Sequence, residues 1–241
     1  RSGSSRADSA RSSRVGGARY RRIMRFATRY LVQAWWFELF LPKIGLRRIT
    51  QRTRLRRLQL VSREFHTLAL SLGGLMIKVG QYLSTRLDVL PPEITNELEG
   101  LQDAVPAVPF AEVQSLAEAE LGMPLSQAFA EFDPVPIAAA SLGQAHRARL
   151  RASEASDTGF TDAVVKVLRP GIEEVVEIDL AALRRIAGWL SRVRALSTHA
   201  DFPTLIEEFA QSSLEEVDYL HEAANAERFA ADFSEQPGVM T

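Results

Sequence analysis

Cysteine is absent from the 241 residues. Disulfides, thiolate nucleophiles and Cys-ligated zinc or iron–sulfur centres are therefore excluded. Histidine is scarce, and His66, His146, His199 and His221 have no paired spacing, so no metal site is expected. No apolar run reaches the roughly 20 residues of a membrane span. Glu38, Pro42 and several arginines interrupt the longest one. No signal peptide is visible either, since that stretch lies too far in and is too aromatic. Acids are nearly missing from residues 1–63, which carry 17 Lys and Arg against Asp8 and Glu38 alone. Residues 64–241 carry 12 bases and 28 acids, so the net charge of −1 hides a basic arm joined to an acidic body. What is present, 46% hydrophobic and 24% charged residues, is the balance of an ordinary soluble globular protein. Wholesale disorder, a fibre and a multi-span membrane protein are excluded. The chain opens on Arg1 and stops soon after Pro237-Gly238, and it reads as a fragment at both ends.

Residues 1–18 are Arg, Ser, Gly and Ala with little else, and are expected to be a disordered basic tail. Residues 19–62 mix arginines with Ile23, Phe26, Tyr30, Leu31, Trp35, Trp36, Phe37 and Phe40, which suits a helix lying in a membrane interface. A helix packed on the rest of the protein, or a nucleic-acid-binding arm, is the alternative. From residue 63 to 132 the pattern is helical: one helix over 62–86 carrying Phe65, Leu68, Leu72, Leu75, Val79 and Tyr82 at 3/4 spacing, then 92–101, 109–121 and a fourth, shorter helix over 125–132. Asp133-Pro-Val-Pro136 reads as a hinge. Residues 133–241 then give a β-hairpin (144–150 and 163–168, with a polar tip), a helix over 172–194 and a longer helix over 203–233. No internal repeat is found.

Four features can carry chemistry. Strand alternation puts Val164, Lys166 and Leu168 on one face, so Lys166 is expected to be at least half buried and to need an anion. The alternative is an edge strand with Lys166 in water. The last helix has a packing stripe (Ile206, Phe209, Ser213, Val217, Leu220, Ala224) and a second, acidic stripe of Glu208, Gln211, Glu215, Asp218 and Glu222, with Glu216 beside it. That acidic stripe is either a solvated face or, if buried, requires Lys166, a metal ion or both. On the first helix, Ser71, Gly74, Lys78, Gln81 and Thr85 form a stripe. Gly73, Gly74 and Gly80 nearby suggest the close approach of another backbone, or a small-residue helix crossing. Finally, Ala138, Ala139, Ala140, Ser141 and Leu142 lead to Gly143 as a small-residue loop whose backbone N–H groups suit phosphate oxygens.

These four, in this order, resemble the UbiB/AarF family of atypical kinase-like proteins: Lys78-Val-Gly-Gln81 (KxGQ), the Ala-rich loop before Leu-Gly-Gln, Val-Val-Lys166-Val with Arg-Pro-Gly, and Glu216-Val-Asp218 (ExD) leading to Glu222. The resemblance covers about residues 60–241 and, more loosely, the arm from residue 19. It implies an α+β chain: most of a protein-kinase-like N-lobe, a small antiparallel sheet with an αC-like helix, preceded by a helical KxGQ extension, with the C-lobe missing. It implies that Lys166 holds the ATP phosphates and pairs with Glu222, and that Ala138, Ala139, Ala140, Ser141 and Gly143 stand where typical kinases have a Gly-rich loop. Lys78, Gln81, Glu216 and Asp218 would then be the pocket residues that obstruct protein substrates. The cofactors implied are ATP and Mg²⁺. The role implied is an atypical kinase or ATPase supporting isoprenoid-quinone or lipid metabolism at the cytoplasmic side of a membrane, bound peripherally through residues 19–63, with an isoprenoid quinone or lipid as substrate and no nucleic acid partner. A catalytic-loop Asp, its Asn and a DFG-type Asp are not in this sequence, and Asp201-Phe202-Pro203 is not one. The fragment alone is thus expected to be inactive. A pseudokinase-like nucleotide- or lipid-binding scaffold, or a basic nucleic-acid-binding helical module, are the alternatives.

Overall fold

The computed structural model describes residues 2–86, 92–101, 105–193 and 201–233. Helix α1 (Ser2–Ala34) continues back through the segment expected to be a disordered tail. Ala and Arg are good helix formers and the first proline is Pro42, so no proline interrupts it, and the helix runs through Gly16 and Gly17 despite their poor propensity. A π-helical turn (Trp35–Phe40) and a 3₁₀ turn (Leu41–Ile44) lead to Gly45, at φ 86, and then to α2 (Arg47–Leu72).

The single helix expected over 62–86 is two helices. Gly73 and Gly74, at φ 65 and 57, end α2 and start α3 (Leu75–Ser84). Two consecutive left-handed residues cannot continue a right-handed helix, and L side chains avoid that region. Helices α4 (Pro92–Glu99) and α5 (Phe110–Leu121) follow where the periodicity placed them, while α6 (Leu125–Ala128) is a single turn that stops short of residue 132 because the chain becomes extended at Phe129.

The sheet has three antiparallel strands in the order β1 (Glu131–Ala139), β2 (Gly143–Arg149) and β3 (Asp162–Leu168), with a short helix α7 (Ala152–Thr158) in the β2–β3 connection. Strand β1 was not expected; the Asp133–Pro136 hinge lies inside it. Prolines are tolerated there because β1 is an edge strand, and its register slips on either side of Pro136. Helix α8 (Ile172–Leu190) is as expected. The long helix expected over 203–233 breaks at Asp218 into α9 (Phe202–Val217) and α10 (Tyr219–Phe233). Asp201 caps α9, its carboxylate accepting from the Thr204 N–H at 3.3 Å, so Asp201-Phe202-Pro203 is a helix start.

The main core is helical. Leu75, Met76 and Ile77 of α3 meet Val176 and Leu180 of α8 and Phe209 of α9, all at 3% exposure or less. Burial of each is worth about 1.5–3 kcal/mol. A smaller core (Val113, Ala117, Leu125, Val167) seats the inner face of the sheet on α5 and α6. The packing stripe of α9 holds through Ile206, Phe209, Ser213 and Val217 and then fails: Leu220 is 86% exposed, because the break at Asp218 turns α10 away.

One polar clamp ties three elements together. Arg19 of α1 donates to both carboxylate oxygens of the fully buried Asp179 of α8, at 2.6 Å each. The same guanidinium donates to the carbonyls of Leu72 (2.7 Å) and Gly73 (3.1 Å), where α2 ends. With Ile23 and Ala27 also buried, the first half of the arm is packed into the molecule.

Candidate functional site

Strand β3 decides where Lys166 points. Val167 is buried and Val165 packs on the α5 cluster, which leaves Val164 and Lys166 on the opposite face. The α5–α6 core covers the other face, and the Lys166 side chain is 52% exposed where at least half burial was expected. It is nonetheless fully engaged. Its Nζ donates to both oxygens of Glu222, at 2.7 and 2.8 Å, and lies 5.0 Å from the centre of the Tyr219 ring. An ion pair this exposed is worth about 0–1 kcal/mol to stability. It does little to hold the fold, so what it contributes is the position of a cation.

The break between α9 and α10 puts Glu222 there. Asp218 ends α9, and its carboxylate accepts from the His221 N–H at 2.9 Å, capping α10. Asp218 and Glu222, expected on one stripe, and Glu216 beside it therefore divide. Glu222 takes Lys166, Asp218 serves as the cap, and Glu216, before the break, pairs with Lys78 of α3. Lys78 is half-buried, and burial lowers its ammonium below the ordinary value. Gln81, expected to reach into the pocket with Lys78, instead donates to the Leu101 carbonyl at 3.1 Å. Between them Gly80 leaves room for Leu101, whose Cδ1 would lie 2.1 Å from any Cβ added there. The close approach expected around this motif is thus a leucine side chain and not a backbone.

The Ala-rich loop is narrower than expected. Ala138 and Ala139 are in β1, paired with Ala145 and Gln144, and the Ala140 N–H donates to the Gly143 carbonyl at 2.8 Å. What remains is a tight turn with Ser141 and Leu142 buried at its tip. Arg169 fixes this turn from below, donating to the Ala140 carbonyl (3.0 Å) and to the Pro106 carbonyl (2.7 Å). Burial lowers its pKa. A Cβ at Gly143 would stand 2.6 Å from the Tyr219 hydroxyl and 2.9 Å from the Val167 carbonyl oxygen, so only glycine fits. The turn, Tyr219, Lys166 and Glu222 are therefore one constellation at the edge of the sheet.

Three residues in or beside it are not singled out by the sequence. Tyr219 is half-buried, and its phenol is pushed up by burial and then by Glu222. Arg169 enters the sequence reading only within the Arg-Pro-Gly that follows the strand. Gln144 is buried and clamps Val108, accepting from its N–H at 2.8 Å and bonding its carbonyl at 3.4 Å. Among the described residues no group of three or more His, Asp or Glu is placed to hold a metal ion. Chemically, the constellation offers one cation held in a fixed position beside a rigid turn, which suits an anionic ligand.

Residues 100–240 match the family model described as the ABC1 atypical kinase-like domain. The protein "ACTIVITY OF BC1 COMPLEX KINASE 8, chloroplastic" of Arabidopsis thaliana is 39% identical over 216 residues, covering 88% of this chain and 27% of its own. A "Probable protein kinase UbiB" of Pseudomonas paraeruginosa is 36% identical over 229 residues, covering 90% of this chain and 40% of its own. The chain thus spans roughly a quarter to two fifths of the length of these relatives. The structure titled as a complex of Rv3197 with erythromycin, from Mycobacterium tuberculosis, aligns at a TM-score of 0.44 and 27% identity, covering 81% of this chain and 46% of that one.

Proposed function

This chain belongs to the ABC1 atypical kinase-like family, and from that premise we propose that it forms the phosphate-facing wall of an ATP site in an atypical kinase or ATPase. The observation that carries the reading is the grip of Glu222 on Lys166 through both carboxylate oxygens. In kinase-like enzymes a strand lysine paired with a helix glutamate holds the nucleotide phosphates. Here the strand is β3, the helix is α10, and Tyr219 and the Ala140–Gly143 turn border the same place. Ala138 and Ala139 lie within β1, so this turn has little freedom to fold down over a phosphate. Lys78 pairs with Glu216, linking α3 to the end of α9 just before the break that delivers Glu222. Mg²⁺ would arrive with the nucleotide, and its ligands would come from outside the described residues.

The arm from Trp35 onward is the membrane contact in this reading. Trp35 (52% exposed) and Trp36 (45%) stand on the surface with Ile44, Ile49 and Leu55, among the arginines of α2. No helix among the described residues is long and apolar enough to cross a membrane. Attachment would be peripheral, to anionic lipid on the cytoplasmic side, with an isoprenoid quinone or lipid as substrate and without nucleic acid. The chain by itself would not turn over ATP.

The test is nucleotide affinity in a full-length protein that carries this segment. Lys166→Ala should weaken Mg-ATP binding about tenfold or more, as expected for losing a charge-assisted phosphate contact of roughly 1.5–3 kcal/mol. The folded state, followed by circular dichroism, should be unchanged. Equal affinity in the two proteins would remove Lys166 from the site.

A further inference from the structure

Beyond the nucleotide site, at the far end of α8, about 28 Å along the helix at 1.5 Å per residue, α1 and α8 part around a cavity of about 400 Å³. Leu31, Val32, Trp35 and Leu39 line it from one side, and Trp189 and Val193 from the other. The volume is that of a small-molecule site, about 300–1,000 Å³. The ionisable side chain on its wall is Glu38, and Arg57 already holds that carboxylate at 2.8 Å. Ordered water needs about two to four polar partners. With so few polar groups on the wall, the walls select an apolar guest.

The mouth and the rim say which kind. Val32 is 59% exposed and Trp35 52%, so the cavity opens to the surface. Around it stand the stacked rings of Trp35, Trp36 and Phe40. Arg57 lies over the Phe37 ring at 4.3 Å, and Lys43, Arg54 and Arg56 are exposed nearby in sequence. Arg57 is matched by Glu38, but a purely apolar guest would leave Lys43, Arg54 and Arg56 to solvent, whereas an anionic head with a hydrocarbon tail meets both the apolar wall and these cations.

We propose that this cavity takes one acyl chain of an anionic membrane phospholipid, its headgroup held among the arginines at the start of α2. The inference rests on the membrane reading of the arm and deepens it from surface adsorption to the capture of a chain.

These 241 residues carry three tryptophans, so in this chain Trp35→Phe with Trp36→Phe leaves Trp189, on the cavity wall, as the sole tryptophan, excited selectively at the red edge of its absorption. This variant is mixed with phosphatidylglycerol vesicles whose acyl chains are brominated, and with unbrominated controls. Co-sedimentation is measured on the same samples. Saturable quenching of Trp189 that weakens at least fivefold on adding Val32→Phe, or Thr28→Leu as a second cavity filler, is the expected result. Both positions are exposed, so the fillings leave the core alone. Sedimentation without quenching, or quenching that ignores both fillings, overturns the inference and leaves the membrane reading standing. Quenching by a monomeric brominated fatty acid without sedimentation overturns the bilayer source. Neither quenching nor sedimentation overturns both readings.

Discussion

Asp179 shows how much one side chain can decide. It is fully buried, and burial holds its carboxyl above the ordinary 3.8 while the Arg19 guanidinium draws it back. Removing one member of a buried pair strands the other, so Asp179→Ala should cost about 3–5 kcal/mol, read from chemical denaturation. The pH dependence has a fixed sign. Since the folded pKa lies above the unfolded one, the contribution of Asp179 is fully present below pH 3.8 and fades as pH rises through the folded value. The melting-temperature advantage of the wild type over Asp179→Asn should therefore shrink from acid toward neutral pH. An advantage that grows instead would mean that Arg19 outweighs burial. Neither partner stood out in the sequence, because Arg19 sits among many arginines and Asp179 among the acids of α8. Lys166 could be read because a lysine inside Val-Val-Lys-Val is chemically out of place, whereas Glu222 was one acid of a stripe and only the family resemblance picked it out. Tyr219 and Arg169 could not, since their importance lies in contacts made across the fold, to Gly143 and to the Ala140 carbonyl.

Among the elements, glycines and one aspartate redirect helices that periodicity alone would have run straight through. The 3/4 spacing from Phe65 to Tyr82 is real, yet Gly73 and Gly74 at positive φ divide it. Spacing reports which face is apolar and not whether the axis is continuous. Likewise Asp218 divides the last helix, and only that division sends Glu216 to Lys78 and Glu222 to Lys166. Strand β1 escaped notice because its two prolines read as a hinge. The junction of α3 with the end of α4 depends on Gly80. A methyl there would meet the Leu101 side chain at 2.1 Å, so Gly80→Ala should destabilise by about 1–3 kcal/mol. Adding Leu101→Ala should return less than the full loss, since that change empties a fully buried site. If Gly80→Ala melts like the wild type, the close packing of α3 on Leu101 is wrong.

For the whole molecule, the sequence divides into a basic first quarter and an acidic remainder, but the structure does not divide in the same place. The arm expected as one unit over 19–62 is half core, through Arg19, Ile23 and Ala27, and half surface, through Trp35, Trp36 and the arginines of α2. Charge patterning sees only the sum, so it could not separate a clamping arginine from solvated ones. If the surface half meets anionic lipid, co-sedimentation with phosphatidylglycerol vesicles should fall steeply as salt rises from low to physiological strength, each cation near the surface being worth about 1 kcal/mol before screening. Retention unaffected by salt would point to purely apolar attachment.

The central claim is that Lys166 faces nucleotide phosphates. An acyl-phosphate derivative of ATP acylates the lysine nearest the phosphates, and peptide mass spectrometry of a full-length protein carrying this segment identifies which one. The account predicts that Lys166 is labelled and that excess Mg-ATP suppresses the labelling. Lys166 left unmodified, or modified to the same extent with and without ATP, would contradict it.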